Sequence, residues 1–272
     1  MKSVIVSSAL SSAALILSLA GTAQATQTFS ASGAAPADIQ TTVDAFRAGL
    51  GANNGVGNPT SGGRREINWD GVPDSFSSPN NLPGNFFNSN SPRGLTMTTP
   101  GTGFRVSADS DNPTATPTLF ADLDPVIAGN FSTFSAQRIF TAMGSNITDV
   151  FFFVPGTNTP ATVLGFGVIF TDVEIAQTSS IQFFDVNDQP VGGVVAPVSG
   201  NAGLSFIAMI RDSAEIFRVR ITSGQTQING GNPALDYVAM DDFIYGEPVA
   251  IPAPSALALL ALGGAAAIRR RR

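Results

Sequence analysis

Carboxylates are the only side chains in this sequence able to do acid and base chemistry near neutral pH. Histidine and cysteine are absent, and the single lysine is Lys2. That composition excludes Schiff-base, Ser-His-Asp and Cys-His catalysis, a phosphate-loop lysine, His or thiolate metal and haem ligation, and disulfides. An enzyme built from what remains would be a paired-carboxylate glycan hydrolase. The tightest grouping is Arg64-Arg65-Glu66-Ile67-Asn68-Trp69-Asp70-Gly71-Val72-Pro73-Asp74, with three acids around the only tryptophan. Sugar binding through Trp69 and Asp70 makes fewer demands on the same residues, and a tryptophan anchoring a loop makes fewer still. No catalytic residue is assigned, and an enzyme is not expected.

Calcium is the one metal whose oxygen ligands the chain can supply. Asp241-Asp242 is the foremost pair, with Asp109-Ser110-Asp111 and Asp122-Leu123-Asp124 behind it. Side chains alternate along a strand, so Asp241 and Asp242 are expected to face opposite sides of the final one. A carboxylate turned inward there needs a cation or several amide donors.

The elements that must position these residues divide in two. Pro36–Leu50 reads as an amphipathic helix, with Ile39, Val43, Phe46 and Leu50 on one face and Pro36 in the first turn, packed at the edge of a sheet. Residues 52–117 are rich in Gly, Asn, Ser and Pro and read as loops with short strands such as Phe104-Arg105-Val106. Beyond them come seven runs of Val, Ile and Phe: Val150–Val154, Val163–Phe170, Ile181–Phe184, Val191–Val195, Leu204–Ile210, Ile216–Ile221 and Tyr237–Tyr245. Asp185–Pro190 reads as a hairpin loop, and Phe217–Ile221 alternates with both arginines outward. Phe151-Phe152-Phe153 and Phe183-Phe184 break the alternation, as strands buried on both faces would. The fold class expected is all-β, a two-sheet β-sandwich of jelly-roll or galactose-binding-like type with one short N-terminal helix. At about 220 residues such a body can bury enough surface to dispense with disulfides.

Both ends differ from this body. Residues 1–25 have the form of a secretory signal peptide, with Lys2, an apolar run from Val4 to Ala20 and small residues at Ala23 and Ala25 for signal peptidase. The domain then occupies 26–248, where nine arginines face all 20 acids. So negative a body repels nucleic acid, and none is expected as a partner. Residues 249–272 hold Pro252-Ala253-Pro254, an apolar run to Ile268, and Arg269, Arg270, Arg271 and Arg272. From Val249 to Ile268 the run is about 30 Å long as a helix, enough to cross a bilayer core. The arginine block would stay cytoplasmic, leaving the body outside.

This tail resembles the PEP-CTERM sorting signal of bacterial exported proteins: a Pro-x-Pro motif, a transmembrane run and a basic terminus. It departs from that pattern at Ala253, where the family usually has Glu. The resemblance implies processing by an exosortase-type enzyme, membrane anchoring through the C-terminal helix, then a place at the cell surface or in extracellular material with exopolysaccharide. The body also looks like exported β-domains that travel with this tail, through Gly144–Asp149, Phe153–Thr157, Arg218–Thr222 and Met240-Asp241-Asp242-Phe243. Three functions stay open in order: a non-catalytic structural protein of the surface or matrix; a calcium-dependent carbohydrate-binding module; a glycan hydrolase.

Overall fold

A computed structural model describes residues 26–228 and 234–252. The signal segment with Ala23 and Ala25, and the tail from Ala253 through Pro254 to Arg269–Arg272, lie outside the described residues; the start of the run expected to cross a membrane, Val249–Ala250, is instead a strand, because its backbone pairs with Ala161–Thr162 and continues the body past 248. Among the described residues no helix is long and apolar enough to cross a membrane.

The chain forms two antiparallel sheets packed on a common core, a β-sandwich. The larger sheet runs β1 (Gln27–Gly33), β11 (Leu204–Ile210), β8 (Gly165–Thr171), β13 (Ala239–Gly246), β5 (Phe140–Met143) and β4 (Gly103–Val106), with β2 (Arg64–Ile67) also on β13. The smaller runs β10 (Pro190–Val195), β9 (Ser180–Phe184), β12 (Arg218–Thr222), β6 (Ile147–Phe152) and β3 (Leu95–Thr98). A short pair joins β14 (Val249–Ala250) to β7 (Ala161–Thr162). Between the sheets lies the main core, to which Val168, Phe166 and Phe243 come from one side and Val150, Phe152, Phe183 and Ile221 from the other.

Helix α1 (Pro36–Leu50) forms where the 3.6-residue period places it, burying Ile39, Val43, Phe46 and Leu50. Its first turn is closed by the Asp38 carboxylate, which accepts from the Ala35 N–H at 2.9 Å. The helix packs over the edge strand β1, as its sequence suggested, with Phe29 meeting Phe46 edge-on at 5.3 Å, and reaches inward from there. It lies across the outer face of the larger sheet, where its apolar stripe joins Ile169, Phe206, Ala208 and Ile244 in a second core. Strands β8, β11 and β13 are therefore the ones buried on both faces. The doublets Phe151-Phe152 and Phe183-Phe184 are not: Phe152 and Phe183 point into the core, while Phe151 and Phe184 lie half-exposed on the uncovered face of the smaller sheet. There Phe151 meets Phe217 edge-on, and the Arg218 guanidinium stacks 3.7 Å over the Phe184 ring.

Close approach of α1 depends on Gly167. A Cβ there would lie 2.7 Å from Ala208 Cβ and 3.0 Å from the rings of Phe206 and Phe46. Gly167→Val is expected to lift the helix and cost about 1–3 kcal/mol, read from urea unfolding. An unchanged midpoint would mean that the helix packs less closely than described.

Candidate functional site

Asp241 and Asp242 share one side of β13, against the alternation expected of them. The ladder between β13 and β8 slips between Met240↔Phe170 and Phe243↔Val168, so both aspartates stand opposite the single residue Ile169. Such a bulge breaks the alternation of side chains. It falls where the other edge of β13 changes neighbour, from β5 at Met240 to β2 at Phe243. Both carboxyls turn to the helix side and are buried. Asp241 accepts from the Phe134 N–H at 2.6 Å and the Ser135 hydroxyl at 3.2 Å; Asp242 lies 2.8 Å from that hydroxyl and 3.5 Å from the Arg47 guanidinium. Burial, with the neighbouring Asp242 charge and a hydrogen bond to it, pushes Asp241 well above the usual carboxylate range. Asp242 is pushed up to about 6, burial outweighing the hydrogen bonds from Asp241 and Ser135 and the attraction of Arg47. Burial thus biases both carboxyls of the pair toward their protonated forms. Among the described residues no group of three or more acids gathers as a metal site.

Trp69 follows β2 and is taken into the main core. Its indole is 1% exposed, stacked on Phe140 at 4.2 Å and edge-on to Phe87 and Phe243, and its Nε1–H donates to the Asp241 carbonyl at 2.7 Å. Its backbone sits at φ 63°, a left-handed conformation that a bulky residue adopts only when its surroundings hold it there. No open ring face is left for a sugar to stack on. Asp70 turns away, accepting from the Gln137 and Arg138 N–H groups at 2.8 and 3.1 Å. Glu66 is engaged by Arg47 and Arg64, and Asp74 by Arg138. Of the three acids, Asp70 and Asp74 thus meet on Arg138, one at its N–H and the other at its guanidinium, while Glu66 goes to Arg47 and Arg64.

What the Trp69 turn does build is a cavity of about 330 Å³, lined by Asn68, Trp69, Val72 and Pro73 on one side and by Phe86, Phe87, Asn90, Ser91 and Arg93 on the other. Phe86 and Phe87 belong to the one-turn helix α2 (Phe86–Ser89). Val56, 53% exposed, stands at the mouth.

The loop that carries Val56 is clasped by Arg65. That guanidinium is fully buried and pairs doubly with Glu247, Nε at 2.7 Å and Nη2 at 2.8 Å. It also donates to the carbonyls of Gly55, Gly57, Asn58 and Pro92. Glu247 in turn accepts from the Asn54 amide and the Thr60 N–H. Neither Arg65 nor the cavity residues Phe86, Phe87 and Arg93 stood out in the sequence. The usable signal was a pair of adjacent phenylalanines inside a polar, glycine- and asparagine-rich stretch, both of which join the main core beside Trp69.

The chain matches no protein-family model, no curated protein and no solved structure.

Proposed function

We propose that this chain is an exported, non-catalytic β-sandwich of jelly-roll or galactose-binding-like type, serving the bacterial surface or extracellular matrix and delivered there by an exosortase-type C-terminal signal. One observation carries the reading. Described strands run from β1 at Gln27 to β14 at Ala250, across the interval that separates the signal-peptidase motif at Ala23 and Ala25 from the Pro252-Ala253-Pro254 motif. Glu66, Asp70 and Asp74 are each held by arginine or main-chain donors, Asp70 and Asp74 both on Arg138, and this supports a non-catalytic role, since glycan hydrolysis needs two carboxyls aimed at one bond.

Replacing Arg269–Arg272 with serine is expected to leave the protein unprocessed or in the wrong compartment, because the basic block holds the terminus on the cytoplasmic side. Cell fractionation with mass measurement reads the result. A variant found in the same place at the same mass as the parent would refute sorting of this type.

A second reading, a carbohydrate-binding module, is favoured by the cavity beside Trp69. It is concave, mostly apolar and edged by two amides, a hydroxyl and a guanidinium, the mixture that small-ligand sites use. In this reading calcium would be held at Asp241 and Asp242, where it has to compete with Phe134, Ser135 and Arg47.

A further inference from the structure

Nine arginines lie in the described residues, and eight of them have a carboxylate oxygen within 4.0 Å. Arg93 is the exception among the described residues, in a body that carries all 20 acids of the chain. Its Nη1 donates to the Ser91 hydroxyl, its Nε is buried with no acceptor, and its guanidinium carbon lies 5.7 Å from the centre of the Phe87 ring. Ser91, Phe87 and Arg93 all line the cavity. The nearby cation Arg65 is neutralised by Glu247, so Arg93 supplies the uncompensated charge. Burial, and then Arg65, lower the Arg93 pKa from its ordinary value, which marks how poorly that charge is solvated. A half-buried guanidinium with a donor to spare is matched best by a planar anion that accepts from its fork, and a carboxylate has that shape.

We infer that the cavity binds a single carboxylate-bearing sugar unit, a uronate, with its carboxylate on Arg93 and its ring among Val72, Pro73, Phe86 and Phe87. This rests on the carbohydrate-binding reading and narrows its ligand class. About 330 Å³ is at the small end of ligand sites, which suits one ring and excludes a long acyl chain. Asn68, Asn90 and Ser91 provide donors and acceptors for ring hydroxyls, which a purely apolar acid would leave unused.

The test titrates the full chain, kept in neutral detergent for its apolar tail, with three probes by calorimetry. D-glucuronate has ring and carboxylate, D-glucose the ring alone, and acetate the carboxylate alone. Glucuronate is expected to bind at least tenfold more tightly than either fragment, more weakly as salt is raised, and at least tenfold more weakly to Arg93→Gln. Should Arg93→Gln lose its thermal transition, Val56→Trp blocks the mouth from an exposed position with Arg93 intact, and it too should lose glucuronate at least tenfold. Glucose binding as well as glucuronate, or a folded Arg93→Gln that binds unchanged, overturns the carboxylate assignment and leaves sugar binding standing. Binding by none of the three probes overturns both.

Discussion

Replacing Arg65 with leucine is expected to lower the unfolding free energy by about 3–5 kcal/mol, because it strands the Glu247 carboxylate in the core. At roughly 2–4 °C per kcal/mol for a chain of this size, the melting temperature should fall by about 6–20 °C. The loss has two parts. One is the unpaired charge, and the other is the release of the loop whose carbonyls at Gly55, Gly57 and Asn58 the guanidinium gathers. Glu247→Leu on top of Arg65→Leu removes the first part and keeps the second. The double variant should therefore be less destabilised than the sum of the single ones, with a coupling of about 1–3 kcal/mol in a double-mutant cycle. A change below about 1 kcal/mol in Arg65→Leu would show that water or another donor already serves Glu247.

Acidification from pH 7 to pH 5 is expected to stabilise the fold, against the usual trend for a protein so rich in acids. Three buried carboxyls have raised pKa values. Asp172 reaches about 7 through burial, against the hydrogen bond from the Ala202 N–H, with Glu174 and Asp236 repelling its charge. Asp242 reaches about 6, and Asp241 stands well above the carboxylate range. In each case the folded state keeps a proton that the unfolded state releases near pH 4. The stabilisation is complete below that value and is lost as pH rises through the folded-state pKa. Between pH 5 and pH 7 Asp172 alone accounts for about 2 kcal/mol, or roughly 4–8 °C, and the aspartate pair adds to it. Melting curves at the two pH values measure it, and Asp172→Asn should remove much of the dependence. A midpoint that falls between pH 7 and pH 5 would mean that these groups are ionised in the fold. Calcium added to metal-stripped protein at pH 7 is an independent arm: if it binds the Asp241–Asp242 pair, it raises the midpoint and opposes protonation there.

Long apolar periods were legible in the sequence and local exceptions were not. The helix appears with its bounds because four apolar residues at helical spacing leave no other face to bury. All seven strand runs of the second half fall on observed strands, since Val, Ile and Phe between turn residues have few other uses. Strand β1 escaped notice. Thr28, Ser30 and Ser32 make it look like loop, and as an edge strand it needs only the backbone ladder to β11. The aspartate pair was read by alternation, a rule that holds only in an unbroken ladder, and one inserted residue turned both carboxyls to the same side. Trp69 has the composition of a sugar platform and the position of a core residue. Nothing in the run Arg64-Arg65-Glu66 reveals which arginine is buried, because the choice is made by Glu247, 182 residues away in the chain.

The last long strand of the chain, β13, lies in the middle of the larger sheet, between β8 and the β5 and β2 segments, while the first strand, β1, closes an edge against β11. Any machinery that delivers this chain with its N-terminus leading, a ribosome or an export channel, therefore releases the pieces of the sheet long before the strand that joins them. Pairing of such high sequence separation is slow to form. Until Gly246 emerges, β2 and β8 have no common neighbour. Closure of the larger sheet is therefore a late event in any such delivery.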